Sequence, residues 1–102
     1  MTSLKVSVPD TVDAAELERE LLTAVADRLR DDHGCALTEE VRPTASGANE
    51  YLLRPAGGIL IDRTPGALHV KLRGVGADAH DLFTGVSSEL EQRHDGLGVE
   101  IG

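Results

Sequence analysis

A two-layer α+β sandwich, with two helices on one face of a mainly antiparallel sheet, is predicted by three observations. A β-α-β pattern occurs twice in the 102 residues, once near each end. Leu4-x-Val6-x-Val8 runs into an amphipathic helix and then a strand from Cys35, while Leu68-x-Val70-x-Leu72 runs into a second helix and a strand from Leu97. Between the copies lies a glycine-punctuated stretch with the alternation of a hairpin. The length suits a single domain over 1–102, large enough for one core and too small for a second.

Each element has a local reason. Asp13 caps the first helix, Glu16 three positions later completes a capping-box-like pair, and Val12 staples to Leu17. Leu17, Leu21, Leu22, Val25 and Leu29 form one stripe at helical spacing, and Gly34 suits the left-handed residue that ends a helix. Four strands are expected at Ala36 to Arg42, Glu50 to Arg54, Ile59 to Arg63 and Ala67 to Arg73. Pro65-Gly66 is a turn, because proline presets the second position and glycine accepts positive φ at the third. Pro55-Ala56-Gly57-Gly58 makes the preceding turn, and Thr44 to Asn49 a looser loop. In the second helix Asp78 is the cap, Ala79, Leu82, Phe83, Val86 and Leu90 the stripe, and Gly96 the stop. Gly85 inside that helix loses about 1 kcal/mol relative to alanine, which marks close packing. The resulting order, β-α-β-β-β-β-α-β, is that of a ferredoxin-like sandwich with an inserted β-hairpin, seated either within the sheet or at its edge.

The chain carries nine Asp and nine Glu against eight Arg and two Lys, a formal charge of −8. Self-repulsion of that size favours solubility and opposes compactness unless salt screens it. Scarce lysine with abundant Asp, Ala, Gly and Val resembles the proteins of salt-in halophilic archaea, and after them those of high-GC actinobacteria. That resemblance lies in composition and implies a habitat, with no functional family attached. Met1-Thr2-Ser3-Leu4-Lys5 lacks the apolar run of a secretory leader, and no stretch approaches the roughly 20 apolar residues of a membrane span. A cytoplasmic protein without a membrane partner is expected. Cys35 is the only cysteine, so an intrachain disulfide is impossible, and it reads as a small hydrophobe at the start of a strand.

Period-two alternation assigns the strand faces. Leu4, Val6 and Val8 point to the helices together with Leu68, Val70 and Leu72. Lys5, Ser7, His69, Lys71 and Arg73 then share the open face, which carries both lysines, whereas twelve of the eighteen acids fall in the helical segments. Lys5, His69, Lys71 and Arg73 are therefore the candidate site for a small anionic ligand or an acidic protein partner. Against this stand cross-strand charge pairs with Glu40, Asp62 and Glu100. Nucleic acid is not expected, because such a face usually adds aromatics for base stacking, only Tyr51 is available, and the net charge opposes a phosphate backbone.

Gly74-Val75-Gly76-Ala77-Asp78-Ala79 follows a strand, opens a helix and resembles the dinucleotide-binding fingerprint G-x-G-x-x-G/A. Glu100 stands where that family places its ribose-binding acid. Three features oppose it. No third strand follows Ile101, the polar alternation of His69, Lys71 and Arg73 is foreign to a strand buried on both faces, and Asp78 places negative charge where a pyrophosphate must sit. The alternative is a glycine-permitted turn, with no cofactor.

Metal and catalytic sites are disfavoured on similar grounds. Asp31, Asp32, His33 and Cys35 end the first helix and His94 and Asp95 the second, but helices running opposite ways keep the two groups apart. His33 and Cys35 alone match no standard zinc spacing. His80 beside Asp81 suits the solvent face of a first helical turn, and no spacing selects a nucleophile, a base or a phosphate cradle. Leu53 and Leu60 alternate out of phase with Leu52, Ile59 and Ile61, leaving apolar residues on both sides of the hairpin. The expected behaviour is non-catalytic: a homodimeric interaction or regulatory module in which the hairpin contributes to the interface.

Overall fold

Eight elements follow in the expected sequence: β1 (Ser3–Ser7), α1 (Ala14–His33), β2 (Ala36–Pro43), β3 (Asn49–Arg54), β4 (Gly58–Thr64), β5 (Ala67–Arg73), α2 (Ala79–Arg93) and β6 (Gly98–Ile101). They are seen in a computed structural model that describes residues 2–45, 47–75, 78–94 and 96–102. The molecule is an α+β domain, with two helices packed on a six-stranded antiparallel sheet.

Helix ends form where their chemistry requires. The Asp13 carboxylate accepts the Ala15 N–H at 2.9 Å. At the other end Gly34 takes φ +68°, its N–H donating to the Arg30 carbonyl and that of Cys35 to the Leu29 carbonyl. That pair of bonds satisfies carbonyls the helix leaves orphaned. Asp78 accepts from both His80 and Asp81 at the start of α2. The helix stops earlier than Gly96: Arg93 is its last residue and His94 is already extended, although its N–H still donates to the Leu90 carbonyl.

The strand order is β2-β3-β4-β5-β1-β6, every pair antiparallel. A ferredoxin-like order, which seats β2 beside β5, is not the one observed, because β3 and β4 lie between them. The hairpin is consequently an interior part of the sheet, with both of its flanks paired. Tight turns make this meander possible. Thr64 pairs directly with Ala67 across Pro65-Gly66, where Gly66 takes φ +80°.

The core lies between sheet and helices. Leu4, Val6, Ile59, Leu68 and Val70 from the strands and Leu17, Leu21, Val25, Leu29, Phe83, Val86 and Leu90 from the helices are fully enclosed. At roughly 25 cal/mol per Å² of apolar area, this burial is the main stabilising term. Leu22, assigned to the α1 stripe by spacing, is only half-buried, and Ala24 takes a place in the core. The helices are joined across their interface by Arg28, whose Nη2 donates to the Gly85 carbonyl at 3.1 Å. A Cβ at position 85 would stand 2.6 Å from Arg28 Nη1, so this glycine does mark a close approach.

Candidate functional site

Cross-strand register decides which polar side chains meet on the open face. Lys5 lies opposite His69 on one side and Glu100 on the other, and His69 lies opposite Asp62. One row across β6, β1, β5 and β4 therefore reads Glu100, Lys5, His69, Asp62, with acids at both ends. Lys71 lies opposite Leu60 and Ser3, in the adjoining row. Ala48, Leu60, Asp62, His69 and Lys71 line a shallow cavity of about 260 Å³. The sheet thus brings Lys5, His69 and Lys71 into one neighbourhood and mixes a carboxylate into it.

Arg73 belongs to a different arrangement. Its Nε donates to the carboxylate of Glu50, which is buried although it stands on the open face. Space for that carboxylate is made by Gly58, where a Cβ would come within 2.6 Å of Glu50 Oε2. Strand alternation alone does not single out Glu50. The trace it leaves in the sequence is Gly58, expected in the turn and found as the first residue of β4, a residue type that within a strand marks close approach of another group.

A second polar group occupies the helix side. The strand Ile59-x-Ile61-x-Arg63 turns Arg63 towards α1, where its Nη2 meets Glu18 Oε2 at 2.9 Å. Glu18 is nearly buried, and with Ala15, Arg19, Leu22, Tyr51 and Arg63 it lines a cleft of about 370 Å³. Burial pushes the Tyr51 phenol above its ordinary 10.0, the Glu18 carboxylate adds to the rise, and Arg63 opposes it. The broken alternation at Arg63 was the available clue, since a charge aimed at the helix layer needs a partner there.

Edge strand β2 supplies the remaining feature. Val41 lies opposite Tyr51 and Leu37 opposite Leu53, so both point to the helix side. Neither is covered: Val41 is 51% exposed and Leu37 39%, the exposed large hydrophobics of the described residues. Between them the register shifts, and Glu39 takes φ 72°. The Thr38 hydroxyl braces this bulge, donating to the Leu52 carbonyl and accepting the Glu40 N–H at 3.1 and 3.3 Å.

His94 Nε2 lies 2.9 Å from Glu20 Oε2, near the start of α1, while Asp31, Asp32 and His33 lie at that helix's far end. Among the described residues no three His, Cys, Asp or Glu side chains converge as metal ligands; Asp95 lies outside them. The strand before Gly74 is flanked by antiparallel neighbours, Asp78 itself occupies the first N–H groups of α2, and Glu100 faces Lys5. Gly76 and Ala77 of the fingerprint lie outside the described residues. His80 and Asp81 are exposed. Cys35 is half-buried against the core. No helix of the described residues is long and apolar enough to cross a membrane. Compared with known proteins, the chain matches no family model, no curated protein and no solved structure.

Proposed function

We propose that this chain works without catalysis, as a self-associating α+β module of a salt-rich cytoplasm. The observation that carries the reading is the placement of Leu37 and Val41. Two helices about 10 Å wide leave part of a six-stranded sheet uncovered, since strands lie about 4.8 Å apart. The uncovered part is the β2 margin. Apolar side chains left there are satisfied by a second copy, and symmetric pairs are the commonest assembly of small domains. The hairpin contributes by holding β2 at the margin, away from β5. Excising it would leave the order β2-β5-β1-β6, with β2 still at the edge, so we read a ferredoxin-like domain in which the insertion carried that edge two strands further from the centre of the sheet.

Light scattering in about 2 M KCl tests this, at a salt level where the Debye length is under about 3 Å and the formal −8 no longer repels a like partner. A mass of two chains is expected. A mass of one chain at all concentrations up to the millimolar range overturns the reading.

A second reading has one favouring observation, the cavity between Leu60, Asp62, His69 and Lys71. There Lys71 and His69 would receive a small anion, with Lys5 nearby. Arg73, committed to Glu50, takes no part. A thermal-shift screen of phosphates, carboxylates and nucleotides separates the two, because a ligand at a hundred times its dissociation constant adds about 2.7 kcal/mol.

A further inference from the structure

The geometry points to a specific interface for that association: we infer that two copies join edge to edge through β2, antiparallel, about a two-fold axis at Val41. This inference rests on the self-association proposed above and adds the surface, the register and the residues that set it.

Charge selects the register. Glu40, Val41 and Arg42 stand where the bulge gives way to the regular end of β2, whose pairing with β3 resumes at Val41. A two-fold centre at Glu40 sets like acids face to face, and one at Arg42 sets like bases. A centre at Val41 places each Glu40 opposite Arg42 of the other copy, giving two opposite-charge cross-strand pairs. Such self-complementarity is what an isologous contact requires.

Backbone phase selects the same centre. The Thr44 N–H donates to the Ala48 carbonyl at 2.9 Å, and Thr44 to Val41 keep one register against β3. Alternation along an antiparallel ladder then turns the N–H and C=O of Arg42 towards β3 and those of Val41 outwards. Two copies centred on Val41 can exchange an N–H···O=C pair. With the axis perpendicular to the sheet, the helices of both copies lie on one side. The two Val41 side chains then meet in the gap between the α1 helices, and Leu37 of each copy lines the same gap.

The ends of β2 limit how far pairing extends. Pro43 has no N–H to offer, and the bulge at Glu39 bends the strand out of register. Pairing is thereby confined to the centre. The other edge, β6, has four residues, and its Val99 and Ile101 already pack against the core. One adhesive edge per chain gives a closed pair, whereas two would give a fibre.

Cysteine pairing and charge exchange test the inference. In a Cys35→Ser background, Val41→Cys places two thiols across the axis, where Cα atoms of a hydrogen-bonded pair lie about 5.5 Å apart, within disulfide range. Mild oxidation is expected to link most chains in pairs, while Leu60→Cys on the open face stays unlinked. At about 0.15 M KCl, where the Debye length of about 8 Å leaves adjacent charges unscreened, Glu40→Arg and Arg42→Glu, each alone, are expected to weaken dimerisation at least tenfold, and the double exchange to restore it. A dimer in light scattering that is linked by Leu60→Cys and not by Val41→Cys overturns this interface and leaves self-association standing. Single charge variants without effect on a scattering dimer do the same. A monomer in every salt overturns both.

Discussion

Among the described residues, Glu18 and Glu50 are the two carboxylates that the fold takes out of water, one on each side of the sheet, and each is held by an arginine that remains about half exposed. The arrangement is asymmetric in cost. Losing the arginine strands a buried charge, whereas losing the carboxylate leaves a guanidinium that water can solvate. Tyr51 reports on the first of these pairs. Its pKa is raised, so above pH 10 the unfolded chain releases a proton that the folded chain retains. Stability contributed by the protonated phenol is present below that pH and declines as pH rises through the folded value. Thermal melts between about pH 9 and 11 should show wild type losing stability more steeply than Tyr51→Phe, and equal slopes would remove the assigned coupling. None of these partners was legible individually. Apolar spacing defines the α1 stripe and treats a glutamate beside Leu17 as solvent-facing, and only the misplaced charge at Arg63 hints otherwise.

Elements were more legible than contacts, because caps and turns are local. Asp13, Gly34, Asp78 and Pro65-Gly66 act where they stand, whatever the rest of the chain does. Gly85 lies between the two scales: its propensity penalty was visible, and its reason, the Arg28 guanidinium, was not. Gly85→Ala gains about 1 kcal/mol of helix propensity and displaces a charge-assisted bond worth about 1.5–3 kcal/mol. The expected result is a net loss of about 1 kcal/mol in wild type and a gain of similar size in an Arg28→Ala background. Denaturant melts of the four proteins form the cycle, and additive effects would mean that Arg28 and Gly85 are not coupled. The bulge in β2 left no trace in sequence. No glycine or proline interrupts Leu37 to Val41, and the left-handed position is filled by Glu39, which occupies it at a strain of about 1–3 kcal/mol.

At the scale of the molecule, the class was readable and the strand order was not. Helix and strand periods are written into neighbouring residues, but the choice between β5 and β3 as partner for β2 is a contest between distant segments. The short turns of the meander decide it, and turn length alone does not say which strand ends up at the margin. Composition carries the remaining whole-molecule property. With a formal −8 on 102 residues, raising KCl from about 0.05 M to about 1 M shortens the Debye length from over 10 Å to about 3 Å, and the melting temperature should climb by several degrees. Calorimetry at fixed pH measures it, and a flat response would show that the acids do not repel one another enough to matter.

The place of β1 in the sheet has a consequence for how the chain comes to be folded. Its two neighbours are β5 and β6, the last two of the six strands in chain order. The β2-to-β5 meander closes on itself turn by turn, each strand pairing with the one just made, as fast local contacts do. Of these six strands β1 leaves the ribosome before the others, at roughly 5–20 residues per second, and is thus the one that waits longest for its partners. Leu4 and Val6, fully enclosed in the finished domain, remain without a sheet until β5 arrives, and through that interval they are open to a chaperone that binds nascent apolar segments.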